Sequence, residues 1–115
     1  MPVNSRAKGK RAELDWVKWW EECSGKPCSR NYDQAADGGN DVNTDLPFSI
    51  EIKVGLEPRI WPALHQAKAA AQPGEYPLVG VTRNMKKGRE REDVVVMYRD
   101  DFGELLKMLT TEGIL

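Results

Sequence analysis

The sequence lacks several features that would each define a class of protein. It has no apolar run near the roughly 20 residues needed to cross a bilayer, and its start, MPVNSRAKGKR, has no apolar stretch typical of a signal peptide. It contains one histidine and two cysteines, and its net charge is only −1 over 115 residues. These absences argue against helical membrane spans and predict one soluble domain that stays in the cytoplasm.

The two cysteines do not form a recognisable metal or redox motif. Cys23 and Cys28 are five positions apart in CSGKPC, which fits neither Cys-x-x-Cys nor a zinc knuckle. A four-ligand zinc site would also need more than the single His65. We therefore expect two reduced, structural cysteines, because a local disulfide would require an oxidising compartment.

Charge is distributed in blocks along the chain. The net charge is +3 over residues 1–30, −4 over 31–60, +3 over 61–90 and −3 over 91–115. A plain nucleic-acid-binding protein would carry net positive charge. An acidic middle between basic flanks instead suits a cation site beside a phosphate-binding surface.

Hydrophobic periodicity and turn residues predict the order helix, three strands, helix, two strands, helix. The helices are expected at residues 10–23, at 60–72 and from Asp100 or Asp101 to 108, where an aspartate would cap the last helix. The strands are expected at 29–34, 41–44, 48–54, 77–84 and 92–100. This order predicts an α/β sandwich with one mixed sheet covered by helices.

The central strand, PFSIEIKVG at residues 47–55, carries an unusual pair of charges. Its alternation places Ser49, Glu51 and Lys53 on one face, opposite an apolar face. Glu-x-Lys is a weak signal by itself, because this face could simply be solvated.

Glu13 is the first of two polar residues on otherwise apolar helix faces. Its neighbours three, four and seven positions on are Trp16, Val17 and Trp20. A buried glutamate is usually paired, protonated or near a metal. The alternative is that Glu13 lies at the edge of the stripe and reaches solvent.

Gln66 is the second such residue, a polar side chain on an otherwise apolar face of the second helix. It is flanked at helical spacing by Ala63, Ala69 and Ala70, a stripe that would let the helix approach the sheet closely. A polar amide there would need a partner. Alternatively Gln66 faces water beside His65.

Asp41 precedes Glu51 by ten residues, across the turn DLP. If residues 41–44 and 49–53 pair as antiparallel strands, Asp41 and Glu51 fall near each other on the polar face. Two converging carboxylates repel, and Mg²⁺ prefers such hard oxygen ligands together with retained water. Lys53 would then lie beside water bound to the cation.

The segment GGNDVNTDLPFSIEIK, with KGKRAE before it and ALHQAKAAA after it, resembles the small phage-type nucleases of the PD-(D/E)XK superfamily, which are labelled Holliday-junction-resolvase-like or VRR-NUC-like. The resemblance continues through PLVGVTRN and DDFGELL, so it covers most of the chain. It implies one nuclease domain over residues 1–115 with a restriction-endonuclease-like core, a mixed central β-sheet flanked by α-helices in αβββαβ order.

The resemblance also implies roles for individual residues. Asp41, Glu51 and the backbone carbonyl of Ile52 would hold Mg²⁺ or Mn²⁺, and Lys53 would act on the attacking water. Glu13 would bind a second cation, and Gln66 would position Lys53 or the phosphate. Asn40 stands where the family's name has proline, and Asp45 in the turn is the alternative metal-binding aspartate.

The expected substrate is DNA, bound through phosphate contacts that carry no base information. The candidate phosphate contacts are basic residues near the first helix or in the last hairpin: Arg6, Lys8, Lys10, Arg11, Lys86, Lys87, Arg89 and Arg91. Branched DNA such as a four-way junction is the expected substrate, and its symmetric resolution would require a homodimer. The alternatives are a flap, nick or end nuclease, and a non-catalytic DNA-binding or assembly module on the same fold.

Overall fold

The computed structural model describes residues 5–31, 41–83 and 90–115, the first five of these as helix backbone only. The described elements are α1 (Ser5–Ser24), β1 (Cys28–Arg30), β2 (Val42–Thr44), β3 (Phe48–Gly55), α2 (Ile60–Ala70), β4 (Tyr76–Arg83), β5 (Glu92–Met97) and α3 (Arg99–Thr111). This is the predicted order of helices and strands, and the mixed α/β class is confirmed. None of the described helices has both the length and the apolar character needed for a membrane span.

The strands form two sheets rather than the single sheet that was predicted. β3 pairs with β4 in parallel and β4 pairs with β5 antiparallel, whereas β1 and β2 form a separate antiparallel pair. The expected pairing of residues 41–44 with β3 is therefore wrong, and β2 pairs with β1 instead. One backbone hydrogen bond, from Asp41 N–H to the Ile50 carbonyl at 2.9 Å, still joins this segment to β3.

Helix α1 packs on one face of the three-stranded sheet. Its buried side chains are Ala12, Trp16, Val17 and Trp20. Trp16 lies over Gly80 of β4, where a Cβ atom would be only 3.0 Å from the indole ring, and its Nε1 donates to Thr82 Oγ1 at 2.9 Å. Gly25, at φ +69°, ends the helix in the left-handed conformation that glycine adopts without strain.

Helix α2 covers the opposite face. Ala63 packs with Leu64 against Val79 and Val81 of β4, and Ala63 and Ala67 are both completely buried. Their small side chains allow close approach, so that the buried Ser49 hydroxyl donates to the Ala67 carbonyl at 2.7 Å. The face of β3 that carries Ser49 and Glu51 is therefore covered by a helix, and a solvated face is excluded.

The ends of the elements differ from prediction in two places. Helix α3 begins at Arg99 with Tyr98 at its N-cap, and no side chain caps it. Asp100 and Asp101 lie in its first turn instead, where a carboxylate interacts favourably with the positive end of the helix dipole. Both cysteines are free as expected, but only Cys28 is buried, so a structural role for the exposed Cys23 is wrong.

Candidate active site

The candidate site is centred on Glu51 in the middle of β3. Its side chain is 1% exposed, and its Oε1 atom has no hydrogen-bond partner among the described residues. Register places Glu51 next to Val79, under helix α2. Leaving a buried carboxylate oxygen without a partner is costly, so this atom requires an explanation.

Asp41 lies directly beside Glu51, although it precedes β2 and belongs to neither sheet. Its backbone N–H donates to the Ile50 carbonyl, and its carbonyl accepts from the Asn31 N–H, both at 2.9 Å. Its Oδ2 atom accepts from the Ile52 N–H at 2.7 Å. These bonds fix Asp41 against β3 on both sides of Glu51, so the predicted convergence of the two carboxylates is observed.

The surroundings of Glu51 strongly shift the pKa of its carboxyl group. Burial, and then the charge and hydrogen bonding of Asp41, raise the pKa of Glu51 from 4.5 to about 9. The charge of Lys53 acts in the opposite direction, and Glu13 adds the smallest contribution, again raising the pKa. At neutral pH, without a cation, the Glu51 carboxyl is therefore protonated.

Lys53 follows on the same face of β3 and is only half-buried. Its positive charge lowers the pKa of Glu51, against the effects of burial and of Asp41. Asp45, the alternative aspartate, is exposed. Asp41, Glu51 and Lys53 therefore form the candidate site, and Asp45 lies outside it.

Glu13 is partnered by a residue that the sequence did not suggest. The Arg30 guanidinium on β1 donates to its carboxylate, in an ion pair that leaves only 24% and 16% of the two side chains exposed. The need of a partly buried glutamate for a partner was visible in the sequence. The sequence did not show that this partner would be Arg30, because the pairing depends on how β1 packs beside α1.

Gln66 does not join this cluster. It is exposed on α2 next to the exposed His65, and no hydrogen bond links it to another described residue. The buried face of the helix comprises Ala63, Leu64 and Ala67, so of the predicted alanine neighbours only Ala63 is fully buried. The alternative in which Gln66 faces water beside His65 is the one observed.

The predicted phosphate contacts are described only in part. Lys10 and Arg11 are exposed on α1. Arg91 is paired with Asp15 and Asp93, at 2.7 and 3.0 Å, so it is engaged within the protein. The side chains of Arg6 and Lys8, and all of Lys86, Lys87 and Arg89, lie outside the described residues.

A cation would find two carboxylates here and not three. Over the described part of the chain, no group of three or more His, Cys, Asp or Glu side chains is arranged to hold a metal ion. Mg²⁺ commonly uses only one or two carboxylates, completed by water and substrate phosphate. The unpartnered Glu51 Oε1 beside Asp41 fits such a site, whereas Glu13 in its pair with Arg30 does not.

Comparison of the chain with protein-family models, with curated proteins and with solved structures found no match.

Proposed function

We propose that the chain is a metal-dependent nuclease that hydrolyses phosphodiester bonds in DNA, with Asp41, Glu51 and Lys53 as its catalytic residues. The observation that carries the proposal is the buried Glu51 carboxylate, whose Oε1 is unpartnered beside the Asp41 carboxylate. Without a cation, burial and the neighbouring Asp41 keep Glu51 protonated, whereas a bound divalent cation would displace this proton and balance the charge of both carboxylates.

Asp41 and Glu51 would hold Mg²⁺ or Mn²⁺, with the Ile52 carbonyl as the further ligand that the family resemblance implies. When bound, the ion supplies Lewis-acid chemistry, which lowers the pKa of a bound water and neutralises charge on the scissile phosphate. The hydrogen bond from Ile52 N–H orients the Asp41 carboxylate before any ion arrives. Preorganisation of this kind lowers the cost of assembling the site.

Lys53 would act on the attacking water and on the phosphate. It shares a strand face with Glu51 and is half-buried, so its ammonium group can approach a phosphate while its stem packs on the protein. In that position it would orient the attacking water and stabilise the negative charge that develops on the phosphate oxygens.

DNA would approach over the first turns of α1. Lys10 and Arg11 are exposed on that helix, three and two residues before Glu13. Their charges suit backbone phosphates, which hold DNA without reading its sequence. A preference for branched DNA rests on the family resemblance, and flap, nick or end cleavage are the alternatives within the same chemistry.

A non-catalytic DNA-binding or assembly module is the second candidate, and one observation favours it. Glu13 is held by Arg30, so the third carboxylate that the resemblance would bring to the metal is already neutralised. In such a module Asp41 and Glu51 would remain a buried pair that shares a proton.

A cleavage assay separates these functions. The labelled substrates are a four-way junction, a flap, a nicked duplex, an intact duplex and a single strand, each incubated with Mg²⁺, Mn²⁺ or EDTA. The nuclease predicts cleavage with either metal and none in EDTA. Cleavage in EDTA would contradict the proposal, and binding without cleavage of any substrate would favour the module.

A further inference from the structure

Arg30, the last residue of β1, lies beside the candidate site. It is opposite Val42 in the register of the two short strands, and Val42 directly follows Asp41. The adjacent residues are joined by the hydrogen bond from the Asn31 N–H to the Asp41 carbonyl at 2.9 Å. Backbone pairing therefore holds Arg30 and Asp41 in neighbouring positions.

The Arg30 side chain pairs with Glu13, and both groups are largely withdrawn from water. Only 24% of the Arg30 side chain and 16% of the Glu13 side chain are exposed. Arginine stays charged throughout the ordinary pH range, and its planar guanidinium matches the geometry of a carboxylate. Removing one partner from such a pair leaves a poorly solvated charge uncompensated. Separating Glu13 from Arg30 is therefore unfavourable.

Glu13 nevertheless belongs to the electrostatic surroundings of the candidate metal site. Its charge is one of those that raise the pKa of Glu51, although its contribution is the smallest. The family resemblance would bring a second cation to this carboxylate. In this chain the positive charge beside it is the Arg30 guanidinium.

We infer that Arg30 takes the place of a second cation, so that the site binds a single divalent ion at Asp41 and Glu51. The inference rests on the proposed nuclease site. In two-metal sites the ions lie about 3.5–4 Å apart, so they need carboxylates to balance their repulsion. A second ion at Glu13 would have to displace the guanidinium or lie beside it. In either case two more positive charges would join those of Arg30 and the first ion.

This arrangement changes how the site depends on metal concentration. The charge of Arg30 is present at every concentration of metal, whereas a second ion would have to be taken from solution. Binding of Mn²⁺ to the wild type should therefore follow a single step.

Calorimetric titration of the DNA-free chain with Mn²⁺ counts the bound ions. The wild type should bind one equivalent. Arg30→Gln removes the guanidinium and makes the Glu13 carboxylate available to a cation, so it should bind two. Arg30→Gln combined with Glu13→Gln should return to one. Arg99→Gln is the matched control, because it removes the same charge from a side chain that is 97% exposed on α3, and it should bind one.

Electron paramagnetic resonance tests where the second ion binds. Two Mn²⁺ ions in neighbouring positions are spin-coupled, so the spectrum of loaded Arg30→Gln should differ from that of isolated Mn²⁺. An uncoupled second ion would lie away from the site and would overturn the inference.

Thermal denaturation checks that Arg30→Gln is folded, and Arg30→Lys provides a second variant that keeps the positive charge. Arg30→Lys should bind one ion, and two equivalents in this variant would contradict the role given to the charge. Two equivalents in the wild type, or only one in folded Arg30→Gln, would overturn the inference and leave the nuclease proposal standing. A wild type that binds no Mn²⁺ would refute the proposed metal site itself, and the inference with it.

Discussion

Asp41 lies beside Glu51 because the Ile52 N–H donates to Asp41 Oδ2 at 2.7 Å and the Ile50 carbonyl accepts from the Asp41 N–H at 2.9 Å. Ile52 directly follows Glu51 in β3, so the hydrogen bond holds the Asp41 carboxylate next to a fully buried carboxyl group. The consequence is a pair of acidic groups that cannot both ionise cheaply.

The first prediction concerns metal binding. Calorimetric titration with Mn²⁺ should detect binding to the wild type, and Asp41→Asn or Glu51→Gln should weaken it by at least tenfold, because each change removes one anionic ligand. Asp45→Asn is the matched control, since Asp45 is exposed outside the pair and should bind as the wild type does. Equal binding by all four proteins would place the metal elsewhere.

The second prediction concerns stability against pH in EDTA. The pKa of Glu51 is 4.5 ordinarily and about 9 in the folded protein, so between these values the folded state holds a proton that the unfolded state has lost. The free energy of unfolding contributed by this group is greatest below pH 4.5 and falls as pH rises to 9, by at most about 1.4 kcal/mol per pH unit.

Urea denaturation at pH 5, 7 and 9 measures this effect. Glu51→Gln lacks the titrating group, so its stability relative to the wild type should rise steadily across the series. Glu57→Gln alters an exposed glutamate and should follow the wild type. Parallel curves for the wild type and Glu51→Gln would show that Glu51 is ionised in the fold.

The third prediction separates the role of Lys53 from that of the carboxylates. Lys53→Ala should lower the cleavage rate by roughly 10²- to 10⁴-fold, the range for a positioned proton-transfer group, while Mn²⁺ affinity changes little. Lys68→Ala, at an exposed position of α2, is the control for loss of a positive charge. An unchanged rate would remove Lys53 from the chemistry.

The fourth prediction tests the packing of α1 on the sheet. Gly80→Ala should lower the free energy of unfolding by about 1–3 kcal/mol, because the new methyl group would meet the Trp16 ring at 3.0 Å. Gly103→Ala is the control: it lies in α3 with open space around it, and should stabilise the protein by about 0.5–1 kcal/mol. Thermal or urea denaturation compares the two.

Element order was predictable because each element carries a local signal, such as the spacing of Trp16 and Trp20 on α1 or the valines of β5. The pairing of β2 was not, since it depends on a partner distant in sequence. The sequence also did not reveal that Glu51 is buried. Alternation along β3 fits a solvated face equally well, and only the close approach of Ala63 and Ala67 on α2 excludes water.

Within the candidate site, the sequence predicted correctly the contacts of residues whose place is set by main-chain hydrogen bonds. It predicted poorly the contacts of residues whose long side chains can reach several partners. Asp41 and Glu51 converge because main-chain hydrogen bonds set their distance. Glu13 pairs with Arg30, and the sequence gives no rule for which of several basic residues a flexible carboxylate will meet. Gln66 lies at the boundary of a helix face, where a small rotation of α2 decides between water and the sheet.

Cleavage of a labelled four-way junction by wild type and Glu51→Gln, purified identically and assayed with Mg²⁺ and with EDTA, tests the central claim most directly. The predicted result is cleavage only by the wild type and only with Mg²⁺, while both proteins remain folded. Cleavage by Glu51→Gln at the wild-type rate, or by the wild type in EDTA, would contradict the assignment of Asp41 and Glu51 as a metal-dependent nuclease site.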